Sequence, residues 1–174
     1  EMFVNEAKMV AGLTHPNIVQ IFDLGRIEKT YFIAMEYVQG KDLRTILKRA
    51  KEKGSRIPLD LSVLVISRVC SALEYAHRKK DEEGQPLKIV HRDISPSNVL
   101  VTFDGVLKSV DSGIARAERQ LRSETGMRPG KFAYMAPEIV VGEPADARAD
   151  LFGVAILLYE LTVGCVGAPA DNIF

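Results

Sequence analysis

The stretch His91-Arg92-Asp93-Ile94-Ser95-Pro96-Ser97-Asn98-Val99-Leu100 sets a guanidinium, a carboxylate and a carboxamide between two apolar runs. A carboxylate in hydrogen-bond reach of a hydroxyl can take its proton as that oxygen attacks. A carboxamide oxygen is a hard donor, suited to a small divalent cation that also meets phosphate. Further on, Asp111-Ser112-Gly113 adds a second hard oxygen donor directly after an apolar stretch. Asp111 alone would mean little, but together these groups could take up a proton and meet a cation.

Such groups need rigid neighbours, and hydrophobic periodicity shows where these lie. Met2 to Leu13 reads as a helix already under way at residue 1, broken by Thr14-His15-Pro16-Asn17. Ile18 to Leu24 and Tyr31 to Val38 read as strands joined by a polar turn over 25–30. Asp42 is placed to cap a helix with Leu43, Ile46, Leu47 and Ala50 on its apolar face, ended by Gly54. Pro58 opens a longer helix that buries Leu61, Val65, Ile66, Val69, Leu73 and Ala76. Short strands are expected at 89–91, 99–102 and 106–110. The polar stretch from Asp111 to Glu138 has no sustained period, and a loop of that length in a compact domain is usually functional. A strongly apolar helix spans 150–163.

Composition narrows the class. In 174 residues, 23 Lys and Arg balance 23 Asp and Glu, so no global field favours nucleic acid or an anionic membrane. The longest apolar run, Leu151 to Tyr159, is too short to span a bilayer, and no signal-peptide pattern opens the chain. Cys70 and Cys165 sit in apolar surroundings and read as reduced thiols. A cytoplasmic location is the expectation.

The order of motifs resembles the eukaryotic-type serine/threonine protein kinases, particularly the bacterial ones. It is carried by Phe3-Val4-Asn5-Glu6-Ala7, His15-Pro16-Asn17-Ile18-Val19, Met35-Glu36-Tyr37-Val38, the 91–100 loop, Asp111-Ser112-Gly113, Ala136-Pro137-Glu138 and Asp150, over essentially the whole chain. The resemblance implies an α+β, two-lobed kinase fold, with a partial β-rich small lobe over 1–38 and a partial, mainly helical large lobe over 39–174. It implies ATP and Mg2+ as cofactors, protein Ser/Thr hydroxyls as acceptors, and self-association through autophosphorylation. Asp93 then becomes the catalytic base, and Asn98 and Asp111 hold the metal. Glu6 would pair with a phosphate-contacting lysine. Glu36 and Val38 would form the hinge whose backbone meets the adenine edge, with Met35 behind the ring and Leu100 beneath it. Arg92 would grip a phosphorylated residue in the 111–138 stretch, Thr125 first and Ser123 second.

Departures from the family pattern set further expectations. The chain contains neither a glycine-rich phosphate loop nor its strand lysine, and it stops soon after the 150–163 helix. It therefore reads as a fragment lacking both ends, too incomplete to act alone. Ser112 replaces a large aromatic, which at a buried site removes about 3–5 kcal/mol of packing. Ser109, in a position normally apolar, is expected to weaken the same neighbourhood. Ser95 occupies the place of a phosphate-steering lysine, while Lys131 stands where the family has a threonine. Lys131 is thus the candidate to supply the missing charge. Pro96 favours the serine/threonine branch. The other reading is a pseudokinase or scaffold that binds partners or nucleotide and transfers little phosphate.

Overall fold

The computed structural model describes residues 12–28, 30–110 and 132–164. Strands β1 (Ile21–Ile27) and β2 (Thr30–Met35) form an antiparallel hairpin. Strands β3 (Gly40–Asp42), β4 (Val99–Thr102) and β5 (Leu107–Ser109) form a second antiparallel sheet in the order β3-β4-β5. Helices α1 (Leu43–Glu52), α2 (Leu59–His77), α3 (Pro137–Val140) and α4 (Ala147–Val163) make up most of the remainder, with 3-10 turns at Pro96–Asn98 and Phe132–Tyr134.

Helices α1 and α4 begin where a side chain satisfies one of their first N–H groups. The Asp42 carboxylate accepts from Thr45 N–H at 2.8 Å and from the Thr45 hydroxyl at 2.9 Å. Asp146 does the same for α4, accepting from Arg148 N–H at 2.9 Å. Gly164, in the left-handed region, closes α4 with its N–H on Glu160 O.

Two buried clusters share α2. Val69 and Leu73 join Leu43, Ile94, Val99, Leu107, Val154, Leu157 and Leu161. Ala72 and Ala76, one helical step round, join Leu13, Ile18, Ile21 and Ile89. A fully buried Leu or Val side chain contributes roughly 1.5–3 kcal/mol, so this double-sided helix anchors both parts of the molecule. Among the described residues no helix is long and apolar enough to cross a membrane. Cys70 is half-buried, and burial pushes its thiol pKa up, as suits an unreactive thiol. Cys165 lies outside the described residues.

Several boundaries differ from the sequence expectation. The sequence suggests a turn at Gly25, yet this residue lies inside β1 opposite Phe32. A Cβ there would meet the Phe32 ring at 2.1 Å, so its value is close approach, and the turn is made instead by Glu28 in the left-handed region. Ile18 does not start β1 but makes an isolated parallel bridge to Ser109 of β5. Val19 N–H donates to Ser109 O, and Ser109 N–H to Asn17 O. Residues 89–91 belong to no strand, and Leu61 is 47% exposed where burial was expected.

Helix α4 approaches the 91–100 loop closely at Gly153. A Cβ there would lie 2.9 Å from Ile94 Cβ and 3.3 Å from Ile94 O, inside the 91–100 loop. Gly153→Ala should therefore push helix and loop apart and lower stability by about 1–3 kcal/mol, read as the urea midpoint of the full-length protein. An unchanged midpoint would show that the approach tolerates a methyl group.

Candidate active site

The 91–100 loop is held by one buried carboxylate. Asp150, in the first turn of α4, is fully buried. Its Oδ2 accepts from His91 N–H at 2.9 Å and pairs with His77 Nε2 at 2.7 Å, while Oδ1 accepts from Arg92 N–H at 2.7 Å. A carboxylate sealed from water is tolerated only with donors of this kind. The two backbone bonds also fix Arg92 at φ 64, a left-handed conformation that a non-glycine residue adopts at a cost of about 1–3 kcal/mol. Asp150 therefore bends the chain immediately before Asp93.

Asp93 and Asn98 then face one another. Asn98 Nδ2 donates to Asp93 Oδ2 at 3.0 Å and to Asp93 O at 2.8 Å, and both residues are buried. With its nitrogen directed at Asp93, the amide leaves Oδ1 as its atom for a cation. The Pro96–Asn98 turn sets this spacing, since Asn98 N–H bonds Ser95 O at 3.0 Å. Val110, which precedes Asp111 in sequence, donates its N–H to Asn98 O at 2.9 Å.

His91 supports the loop from below. Its Nδ1 accepts from Asp93 N–H at 3.3 Å, which places the proton on Nε2. Nε2–H then meets Val110 O at 3.0 Å and Ser109 Oγ at 3.3 Å. Ser109 is thus not the weak point expected of a hydroxyl in an apolar position, because the ring gives it a partner. Ser95 differs. Among the described residues, its Oγ is the buried side-chain atom without a hydrogen-bond partner.

Met35 ends β2, Glu36 and Val38 follow it, and Leu100 lies in β4. Met35 is 38% exposed, so it does not form a closed back wall among the described residues. Glu36 N–H donates to Gln20 O at 2.8 Å. Its carboxylate accepts from Gln20 N–H at 3.2 Å and from Lys108 Nζ at 2.9 Å. Burial pushes this carboxyl upward in pKa, but the Lys108 and Gln20 hydrogen bonds and the Lys108 charge outweigh it, leaving the carboxyl below its usual range.

Glu6, Asp111, Ser112, Ser123, Thr125 and Lys131 lie outside the described residues. Asp150 stands among the motif anchors, but what it holds, like the contacts of Lys108 and His77, carries no chemical signature in sequence. Asp150 offered one signal, a lone acid at the head of a nine-residue apolar run. Tyr134 was also missed. Its hydroxyl donates to Glu160, tying the 3-10 turn at 132–134 to α4.

Removing the Asp150 anchor should free the loop. Asp150→Ala is expected to abolish hydrogen-exchange protection at the His91 and Arg92 amides and to lower stability by about 3 kcal/mol. Retained protection at those two amides would exclude the anchoring role. A second expectation concerns alkali. Burial first, then the Glu160 hydrogen bond and charge, push the Tyr134 phenol well above its usual range, against a weaker effect of Arg44. A folded pKa raised in this way gives stability that is complete below about pH 10 and lost as pH climbs beyond it. Tyr134→Phe should flatten that alkaline loss in thermal melts, and identical slopes would contradict it.

Comparison with known proteins places this geometry. The family model described as "Protein kinase domain" matches residues 1–172. Tyrosine-protein kinase MasK of Myxococcus xanthus is 47% identical over 161 residues, covering 92% of this chain and 25% of that protein. Probable serine/threonine-protein kinase CPE1738 of Clostridium perfringens is 37% identical, covering 98% of this chain and 23% of its own length. The chain thus spans about a quarter of the curated relatives it matches. The crystal structure of the Mycobacterium tuberculosis PknI kinase domain superposes with a TM-score of 0.75 at 28% identity, over 99% of this chain and 60% of that one. Its α+β architecture is that of a protein kinase domain, and the chain belongs to the protein kinase family.

Proposed function

We propose that the chain carries the central part of a kinase that transfers the γ-phosphoryl group of ATP to hydroxyls of proteins. The observation that carries this reading is the buried pair Asp93–Asn98, held at 3.0 Å by a loop fixed on Asp150. Asp93 takes the proton of the acceptor hydroxyl. Asn98 Oδ1 and Asp111 are hard oxygen donors of the kind Mg2+ prefers. That ion, bound with ATP, neutralises charge on the transferring phosphate.

The nucleotide reading rests on Glu36, Val38, Met35 and Leu100. Among the described residues the N–H and C=O of Val38 have no hydrogen-bond partner, between Glu36 N–H on Gln20 O and Gln39 O on Phe103 N–H. A flat ring edge with a donor and an acceptor would satisfy both groups. Glu6 serves a phosphate-contacting lysine, Arg92 grips phosphorylated Thr125 or Ser123, and Lys131 supplies the charge absent at Ser95. The division into parts 1–38 and 39–174, a cytoplasmic location and self-association through autophosphorylation belong to the same reading. A scaffold with little phosphotransfer fits poorly with an intact Asp93–Asn98 pair.

Most relatives are named serine/threonine kinases, which favours Ser and Thr as acceptors. Tyrosine is the second reading, favoured by the relative named a tyrosine-protein kinase and by the small Ser95 in place of a lysine. Phosphoamino-acid analysis of the autophosphorylated full-length protein separates the two. In the same protein, Asp93→Asn should lower phosphotransfer about 10²- to 10⁴-fold, and equal turnover would sink the base assignment. Lys131→Ala should slow turnover as well, and an unaltered rate would remove Lys131 from the site.

A further inference from the structure

Lys108 belongs to no part of the machinery named so far, yet its position is well defined. It sits in the middle of β5, between buried Leu107 and Ser109, so its side chain emerges on the opposite face of the strand. Its direct cross-strand partner is Leu100. Residues directly opposite in an antiparallel pair share a face, with Cβ atoms about 4.5–5.5 Å apart. The Lys108 stem therefore runs beside the residue read as the floor under the adenine ring. Its ammonium ends on Glu36, 2.9 Å from Oε2, at the start of the segment read as the hinge.

The connection is short and well enclosed. The Lys108 side chain is 16% exposed and that of Glu36 31%. The 17–20 segment runs between the two, with Val19 bonded to Ser109 on one side and Gln20 bonded to Glu36 on the other. Glu36 Oε2 accepts from both Lys108 and Gln20 N–H, so one oxygen ties three stretches of chain. A surface pair is screened and weak, whereas a pair this shielded keeps its geometry.

We propose that the Lys108–Glu36 ion pair is a strut that sets the distance between the hinge backbone at Val38 and the floor at Leu100, making Lys108 a positioning residue for the nucleotide. The inference rests on the adenine-site reading above. Without the strut, Glu36 and the hinge segment that follows are free to drift relative to β4 and β5. A ring held by its edge and its face at once would then lose one of the two contacts. Affinity for nucleotide falls, while the groups that act on the acceptor hydroxyl stay in place on Asp150.

The test uses the full-length protein and Mg-ATP. Lys108→Met and Glu36→Gln should each raise the KM and the dissociation constant for ATP about tenfold. The loss should fall on those quantities rather than on kcat or on the KM for the protein substrate. The double variant should be no worse than either single one, and Lys108→Arg should restore most of the affinity. Additive losses, or a lowered melting temperature with unmoved ATP constants, would reduce Lys108 to a structural role and overturn the proposal. If the wild-type protein binds no Mg-ATP, the adenine-site reading fails and this inference fails with it. Wild-type binding that all variants reproduce defeats the strut alone.

Discussion

A carboxylate with no access to water must find hydrogen-bond donors, and Asp150 finds two in the backbone of the loop it supports and a third in His77. Because those donors are main-chain N–H groups, the bonds dictate backbone conformation directly and depend little on which side chains surround them. The left-handed turn at Arg92 follows from them. So does the direction in which Asp93 leaves the turn, and so does the need for a bare α-carbon at Gly153, where α4 presses on Ile94. The apolar cluster around Leu157 and Leu161 holds α4 in place. Hydrophobic burial thus fixes the helix, the helix fixes a charge, and the charge fixes the loop in which Asp93 and Asn98 meet.

The polar groups near the loop are paired almost throughout. Asn98 satisfies Asp93, His91 links Asp93 N–H to Ser109 and Val110, and Glu36 gathers Lys108 and Gln20. Ser95 interrupts this economy. A buried hydroxyl left without a partner carries a penalty of about 1–3 kcal/mol. A long cationic side chain at the same position would have carried its charge away from the backbone. Ser95 thus leaves an uncharged polar atom at this point of the loop.

Elements with a strong local period were legible in the sequence. The caps at Asp42 and the amphipathic or apolar stripes of α1, α2 and α4 lie where expected, because each is dictated within a few turns of chain. Gly25 misled because a glycine opposite an aromatic ring and a glycine in a turn look alike without the partner strand. Residues 89–91 look like a strand because Ile89 and Val90 are apolar, but the run leads to His91 and Arg92, whose N–H groups go to the distant Asp150. At the site, Asp93 and Asn98 were readable from residue type and spacing. The contact of Lys108, and the loop that the anchor Asp150 holds, were not, since they depend on partners 72 and 58 or 59 positions away.

The bonds joining residues 17–19 to β5 also have a consequence in time. Asn17 Nδ2 reaches Leu107 O across 90 positions of chain. During synthesis the first partner is made long before the second. At about 5–20 residues per second, the wait is on the order of 5–20 s. Throughout that interval Leu13, Ile18 and Ile21 have neither β5 nor, at first, α2 to lie against. Part of the core that Leu13, Ile18 and Ile21 share is therefore completed late, after the strand at 107–109 has emerged, although these three residues are made well before it.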